Sequence, residues 1–202
     1  MPDVVATEFA LERAWNVRGN AAHPAFVAAV SDLFGMALPV RSNSSAVRGD
    51  RRLQDSAGLS TRVDDTLLWL GPASWLFVGS GDGNPRDFDV TRLALNAAGG
   101  ALFDVSASYV AWSVSGEDAA RVLNRGCPLD LDARVFRAGH CAQSLLGHVA
   151  ALLHRPDASS TFIVMVARSF AADVRHLLKA NGASIDERPA PVQRDTVTHT
   201  GA

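Results

Sequence analysis

Between residues 102 and 115 the polar positions change phase. Asp104, Ser106 and Ser108 are polar on even positions, whereas Val110, Trp112 and Val114 are apolar on the same parity. Side chains alternate with period two along a strand, so one flat strand with this pattern would turn its apolar set from core to solvent halfway along. The run must therefore bend or break near residues 106–109.

The segments on either side predict an α+β chain. Residues 23–34 set Phe26, Val27, Val30, Leu33 and Phe34 at helical spacing, and Gly35 stands where a helix would end. Residues 66–70 and 75–79 are aromatic-rich strand candidates joined by Gly71-Pro72-Ala73-Ser74, which is turn chemistry. Residues 87–97 carry Phe88, Leu93 and Leu95 ahead of Gly99-Gly100 and predict a second helix. After the break, Ser115, Gly116, Glu117 and Asp118 open a short helix with Ala119, Val122 and Leu123 on one face and Gly126 as its stop. Residues 143–155 and 161–168 are strand material, with Arg155-Pro156-Asp157-Ala158 as the turn between them. Ser169 is placed to cap a last helix in which Phe170, Val174, Leu177 and Leu178 fall at i, i+4, i+7 and i+8. The second half thus reads β-α-β-β-α.

Two stretches resist this reading. Residues 1–21 show no clear periodicity, and residues 41–62 offer no convincing strand or helix. A structureless connection of that length is uncommon in a compact domain unless it has a task, and ordering by a partner protein is one. The organisation expected is an N-terminal helix and long polar loop over 1–65, a core over 66–185 forming one compact domain overall, and a tail over 186–202. A length of 202 residues and a hydrophobic fraction of 48% fit one folded domain and rule out wholesale disorder.

Charge and motifs exclude more than they assign. The 19 basic residues nearly balance 21 acidic ones, so no nucleic-acid partner is implied. No basic stretch precedes an apolar run near the N-terminus, and no run of apolar residues is long enough to span a bilayer, so neither a secretory signal nor a membrane is expected. Cys127 and Cys141 read as reduced thiols of a cytoplasmic protein. With His140, His148 and His154 they invite a zinc reading, but no Cys-x-x-Cys or His-Glu-x-x-His supports it; His148 and His154 share strand parity and could face one side. The cluster Gly79-Ser80-Gly81-Asp82-Gly83 lacks the spacing of a phosphate loop. The carboxylate pairs Asp64-Asp65, Glu117-Asp118 and Asp130 with Asp132 read as solvated or structural.

From residue 102 onward the series LFDVS, VSGEDAARVLNRGCPLDL, RAGHCAQSLLG, ALLHR and TFIVMV resembles the gamma subunit of heterotetrameric sarcosine oxidase. Its most specific pieces are the residues from Gly126 through Cys127, Pro128 and Leu129 to Leu131, and those from Cys141 to Gly147; Leu68-Trp69-Leu70-Gly71-Pro72 also fits. More remotely, Phe103-Asp104-Val105-Ser106 and Gly116-x-x-Ala119-x-x-x-Leu123 are similar to the folate-binding domain of the glycine-cleavage aminomethyltransferase. That likeness implies ferredoxin-like β-α-β-β-α units. Aminomethyltransferases carry an acidic pair on the strand after the Gly-containing turn, whereas residues 147–153 here hold no carboxylate, and an alanine cannot act as acid or base.

The resemblance implies a non-catalytic subunit that supports assembly of an oxidoreductase complex. Such a complex demethylates sarcosine oxidatively to glycine, with hydrogen peroxide and 5,10-methylenetetrahydrofolate formed. No cofactor is expected on this chain; FAD, FMN, NAD, tetrahydrofolate and zinc belong to the alpha, beta and delta partners, with alpha the main contact. Arg48, Arg51 and Arg52 in the polar loop, and Cys127, Pro128 and Leu129 in the following turn, are the candidate partner contacts. The alternative is a stand-alone folate-binding one-carbon transferase, which would need a buried carboxylate facing a pocket. Asp104 is the candidate for that role, unless it merely caps local backbone amides.

Overall fold

The computed structural model of the protein describes residues 4–48, 64–79 and 88–186. Along the chain run β1 (Val5–Ala10), β2 (Arg13–Arg18), α1 (Pro24–Phe34), β3 (Ser45–Val47), β4 (Thr66–Gly71), β5 (Ser74–Gly79), α2 (Phe88–Ala97) and β6 (Ala101–Asp104). There follow β7 (Tyr109–Ser115), α3 (Ala119–Asn124), β8 (His140–Leu146), β9 (Val149–Arg155), β10 (Thr161–Ala167), α4 (Ala171–Ala180) and β11 (Ser184–Asp186). The architecture is mixed α/β, with two sheets and four α-helices among the described residues.

The two sheets are built alike. The first has the lateral order β3-β4-β5-β2-β6; the second, read from its β8 edge, runs β8-β9-β10-β7-β1-β11. Each half of the chain is therefore β-α-β-β-β-α-β, and the halves superpose in strand order once β1 is taken as an insertion beside β7. Direction agrees too: β6 is antiparallel to β2, and β11, parallel to β1, is likewise antiparallel to β7. Because β1 joins one sheet and β2 the other, the residues before 66 are woven into both.

Three apolar clusters fix the layers. Trp112, Leu123, Phe162, Val174 and Leu178 fill the space between the second sheet and α3 and α4. Phe9, Leu76, Ala111, Cys141 and Met165 pack sheet against sheet. Trp15, Phe26, Phe34, Trp75 and Leu95 lie between the first sheet and α1 and α2. Both sheets are thus covered on both faces, which is why β5, β7 and β10 read as continuous apolar runs without alternation.

The break inferred from the phase change is a 3-10 turn at Ser106–Ser108, where the chain leaves the first sheet as β6 and enters the second as β7. The Ser106 hydroxyl accepts the Ala14 N–H at 2.9 Å and fixes this crossover. α1 ends at Gly35 as its sequence predicts, with φ at 68° and its N–H donated to the Ser31 carbonyl. α2 and the β4–β5 hairpin also form where their sequences place them.

Four sequence readings need correction. Residues 1–21 hold two strands; adjacent residues Ala6 and Thr7, and Ala14 and Trp15, are buried together because both faces of each strand are covered, so alternation is lost. Residues 41–62 include the short strand β3, too brief for a pattern to register. Residues 143–155 belong to a hairpin, β8 and β9, which turns at Gly147 with φ at 64°, and β11 follows α4, so two more strands are present than β-α-β-β-α allows. Ser169 does not cap α4; a 3-10 turn at Arg168–Phe170 leads into the helix, and no side chain caps it.

Candidate functional site

The edges of the two sheets meet where β3 passes β8. The Cys141 N–H donates to the Asn43 carbonyl at 3.0 Å and the Ser45 N–H to the Gly139 carbonyl at 2.8 Å, while the Trp69 N–H donates to the Ser44 carbonyl at 3.0 Å. Residues 43–45 therefore bond to β8 of one sheet and β4 of the other. Beneath them lies His154, fully buried, its Nε2 3.1 Å from the Ser45 hydroxyl. That hydroxyl donates its proton to the Gly139 carbonyl at 2.9 Å, so the imidazole supplies the proton between them and carries it on Nε2. Its Nδ1 is buried with no hydrogen-bond partner. Burial pushes His154 down to about 4, with Asp157 pulling weakly the other way.

Cys141 lies opposite His154 in the β8–β9 register, and its thiol faces the Ser44 carbonyl at 3.3 Å and the Trp69 carbonyl at 3.6 Å. Burial pushes this thiol up to about 11, which removes the thiolate needed for nucleophilic or metal chemistry. The corner is a structural junction between sheets. Sequence reasoning passed over Ser45 and His154 as a pair, and their separation of 109 positions leaves no local signal.

The candidate contact residues divide. Arg48 is engaged within the chain: its guanidinium donates to the Phe34 carbonyl at the end of α1, from Nε at 3.0 Å and from a terminal nitrogen at 2.7 Å, and pairs with Asp65 at 2.8 Å. Arg51 and Arg52 lie outside the described residues. Cys127 is buried in the core under α3 and α4, Leu129 packs on that core, and Pro128 is exposed. The two sequence pieces that carry the resemblance touch one another: the Gly147 N–H donates to the Gly126 carbonyl at 2.7 Å, and the Cys127 thiol approaches the Ser144 hydroxyl at 3.8 Å.

Asp104 is exposed and accepts the Ser106 N–H at 2.9 Å and the Ser106 hydroxyl at 2.6 Å, the local capping role. The buried polar and charged residues among those described are Thr7, Thr66, Thr91, Ser113, His154 and Arg155; none is a carboxylate. Asp118 and Asp132 are held by Arg121 and Arg134, and hydrogen bonds from Arg134 pull Asp132 down to about 2. Asp65 serves Arg48. His148 and His154 do not face one side, because His148 sits exposed in the hairpin turn. Among the described residues no group of three His, Cys, Asp or Glu side chains could hold a metal ion, and no helix is long and apolar enough to cross a membrane. Of the glycine cluster, 80–83 lie outside the described residues.

Comparison with known proteins gives a consistent result. Residues 18–184 match the model of the sarcosine oxidase, gamma subunit family. A sarcosine oxidase subunit gamma from Arthrobacter sp. is 28% identical over 80% of this chain and 71% of its own length. Another, from Corynebacterium sp. (strain U-96), is 33% identical over 46% of this chain and 45% of its own. Among solved structures, a chain of the heterotetrameric sarcosine oxidase from Corynebacterium sp. U-96, in complex with pyrrole 2-carboxylate, superposes with a TM-score of 0.74 at 26% identity. That match covers 88% of this chain and 83% of that one. Glycine cleavage system aminomethyltransferase T from Bartonella henselae shares the fold, with a TM-score of 0.59 at 12% identity over 92% of this chain and 47% of that chain.

Proposed function

Since this chain belongs to the sarcosine oxidase gamma subunit family, we propose that it is a non-catalytic subunit of a heterotetrameric oxidase and supports assembly of that complex. The reaction served is the oxidative demethylation of sarcosine to glycine, yielding hydrogen peroxide and 5,10-methylenetetrahydrofolate. FAD, FMN, NAD, tetrahydrofolate and zinc reside on the alpha, beta and delta subunits, alpha is the principal contact, and the complex is cytoplasmic. The two repeated halves are ferredoxin-like units of aminomethyltransferase type, enlarged by a strand.

The observation that carries this reading is the likeness of nearly the whole chain to one chain of a heterotetrameric oxidase. The site chemistry supports it. Residues 147–153 bring no carboxylate to β9, and Asp104, the candidate acid of a stand-alone transferase, is exposed and tied to Ser106. A group that caps a turn in solvent lacks the environment that tunes a carboxylic acid for proton transfer.

The test is native mass spectrometry of the tagged chain co-expressed with its alpha, beta and delta partners, with an absorbance scan for flavin. Recovery in a stoichiometric yellow complex, while the chain purified alone is colourless and ignores folate, is the expected outcome. A stable monomer that binds a folate derivative would overturn it. Residues 51 and 52 enter the same test: shortening 50–62 should weaken the complex more than it lowers the folding stability of the isolated chain. The excision must spare 43–48, because those residues join the two sheets.

A further inference from the structure

The ends of α3 and α4 are joined through Asn181. This residue closes α4, and its N–H donates to the Leu177 carbonyl at 2.9 Å. Its side-chain amide reaches across to α3 and donates to the Val122 carbonyl at 3.3 Å, while the Arg125 guanidinium donates back to the Asn181 carbonyl. Gly126 lies against the same amide: a Cβ there would stand 3.5 Å from Asn181 Nδ2 and 3.3 Å from the Gly147 nitrogen of the β8–β9 turn. Gly182 follows with φ at 100°, a conformation open to glycine, and its N–H donates to the Lys179 carbonyl at 3.0 Å. From there the chain enters β11, where the Ser184 N–H donates to the Val4 carbonyl at 2.8 Å.

Asn181-Gly182 is the one Asn-Gly pair in the sequence; every other asparagine precedes a residue with a Cβ. Glycine has no side chain to shield its backbone nitrogen, so in an open chain that nitrogen can attack the preceding side-chain amide. A C–N bond forms at Cγ of Asn181, the proton of the Gly182 nitrogen passes to the departing Nδ2, and ammonia leaves a five-membered succinimide. Water then opens the ring at either carbonyl. One product is aspartate; the other is isoaspartate, in which an extra methylene enters the main chain.

The folded joint blocks this path at both reacting groups. The nucleophile's N–H is committed to Lys179 and the leaving amide to Val122, and Asn181 itself is held at helical φ −78° and ψ −4°. Ring closure must break both hydrogen bonds and rotate Asn181 out of that conformation. Neither product restores the joint. A carboxylate has no proton to give the Val122 carbonyl, so two acceptors would face each other, and isoaspartate lengthens the turn into β11.

We propose that Asn181-Gly182 is a self-modification site gated by the α3–α4 joint: water hydrolyses this amide in molecules whose joint has opened, and the acid formed keeps the joint from closing again. Water is the sole co-reactant and has access, since Asn181 is half-buried and Gly182 exposed. The joint is thus a one-way conformational device, and the fraction of acid at residue 181 records how often it has opened.

The experiment incubates the full chain, as wild type and Arg125→Ala, at pH 8 with and without guanidinium chloride, and follows conversion of residue 181 by peptide mass mapping. Wild type should convert at least about tenfold more slowly when native than in denaturant. Arg125→Ala, which removes one donor from the joint at an exposed position, should convert about fivefold faster than wild type when native and equally fast when unfolded. Asn181→Asp, made directly, should melt about 2–6 °C below wild type. Equal native and denatured rates in wild type would overturn the gating, as would an Arg125→Ala chain that converts no faster than wild type. Absence of acid at residue 181 in denaturant would overturn the site, and an Asn181→Asp chain that melts with wild type would show that the joint closes on the product.

Discussion

Acidification should loosen this protein through His154. In the folded chain the ring is fully buried, its Nε2 proton is held by Ser45, and its Nδ1 has no partner that could accept a second proton. Burial holds the group down at about 4 against an ordinary 6.5, Asp157 opposing weakly, and the facing thiol of Cys141 is itself uncharged. A histidine depressed in the folded state binds its proton only after the unfolded chain has bound one. Its neutral form therefore contributes in full above about pH 6.5, and stability falls as pH drops from there to about 4, then levels off. A displacement of this size corresponds to about 3 kcal/mol, most of which is lost by pH 4.5. The carboxylates bonded to arginine, Asp118 and Asp132, are held below their ordinary value and lose their charge at more acidic pH, outside this window. Urea unfolding of wild type and His154→Gln between pH 7.5 and 4.5 measures the difference, since glutamine can still donate to Ser45 but does not titrate. Wild type should lose about 2–3 kcal/mol more than the variant over that range. Parallel pH profiles would refute the reasoning, because the acid loss would then have no origin in this ring.

Three further outcomes are expected. Gly100→Ala should destabilise by about 1–3 kcal/mol in thermal unfolding, because a Cβ there would stand 2.7 Å from Phe26 and 2.9 Å from Leu95 inside the first-sheet core. Arg48→Ala should cost about 1–2 kcal/mol by leaving the last carbonyl of α1 and Asp65 without their donors, and Arg48→Lys should recover little of it because one ammonium cannot reproduce the fork. Cys141 should resist a thiol reagent at pH 8 until the chain unfolds; fast labelling of the native protein would contradict its burial and raised value.

Local pattern was enough for much of the fold. The periodicity of residues 23–34 and 87–97, the turn chemistry at residues 71–74 and the phase change before Val110 each act within a few residues, and the structure has α1, α2, the β4–β5 hairpin and the crossover turn in those places. The family was legible as well, since the pieces beginning at Gly126 and Cys141 are specific in order and residue type, and family membership follows for residues 18–184. β1 and β2 were not legible, because strands covered on both faces lose the alternation that identifies a strand. Nor could a linear pattern reveal that the halves repeat, which depends on which strands pair, or that Ser45 meets His154 across the sheet junction. α2 shows the division most clearly. Its sequence contains two apolar faces, but only packing decides that Leu95 is covered by the first sheet while Val90 and Leu93 face outward. Periodicity records which residues share a face of a helix; what covers that face is settled by contacts between segments distant in the chain.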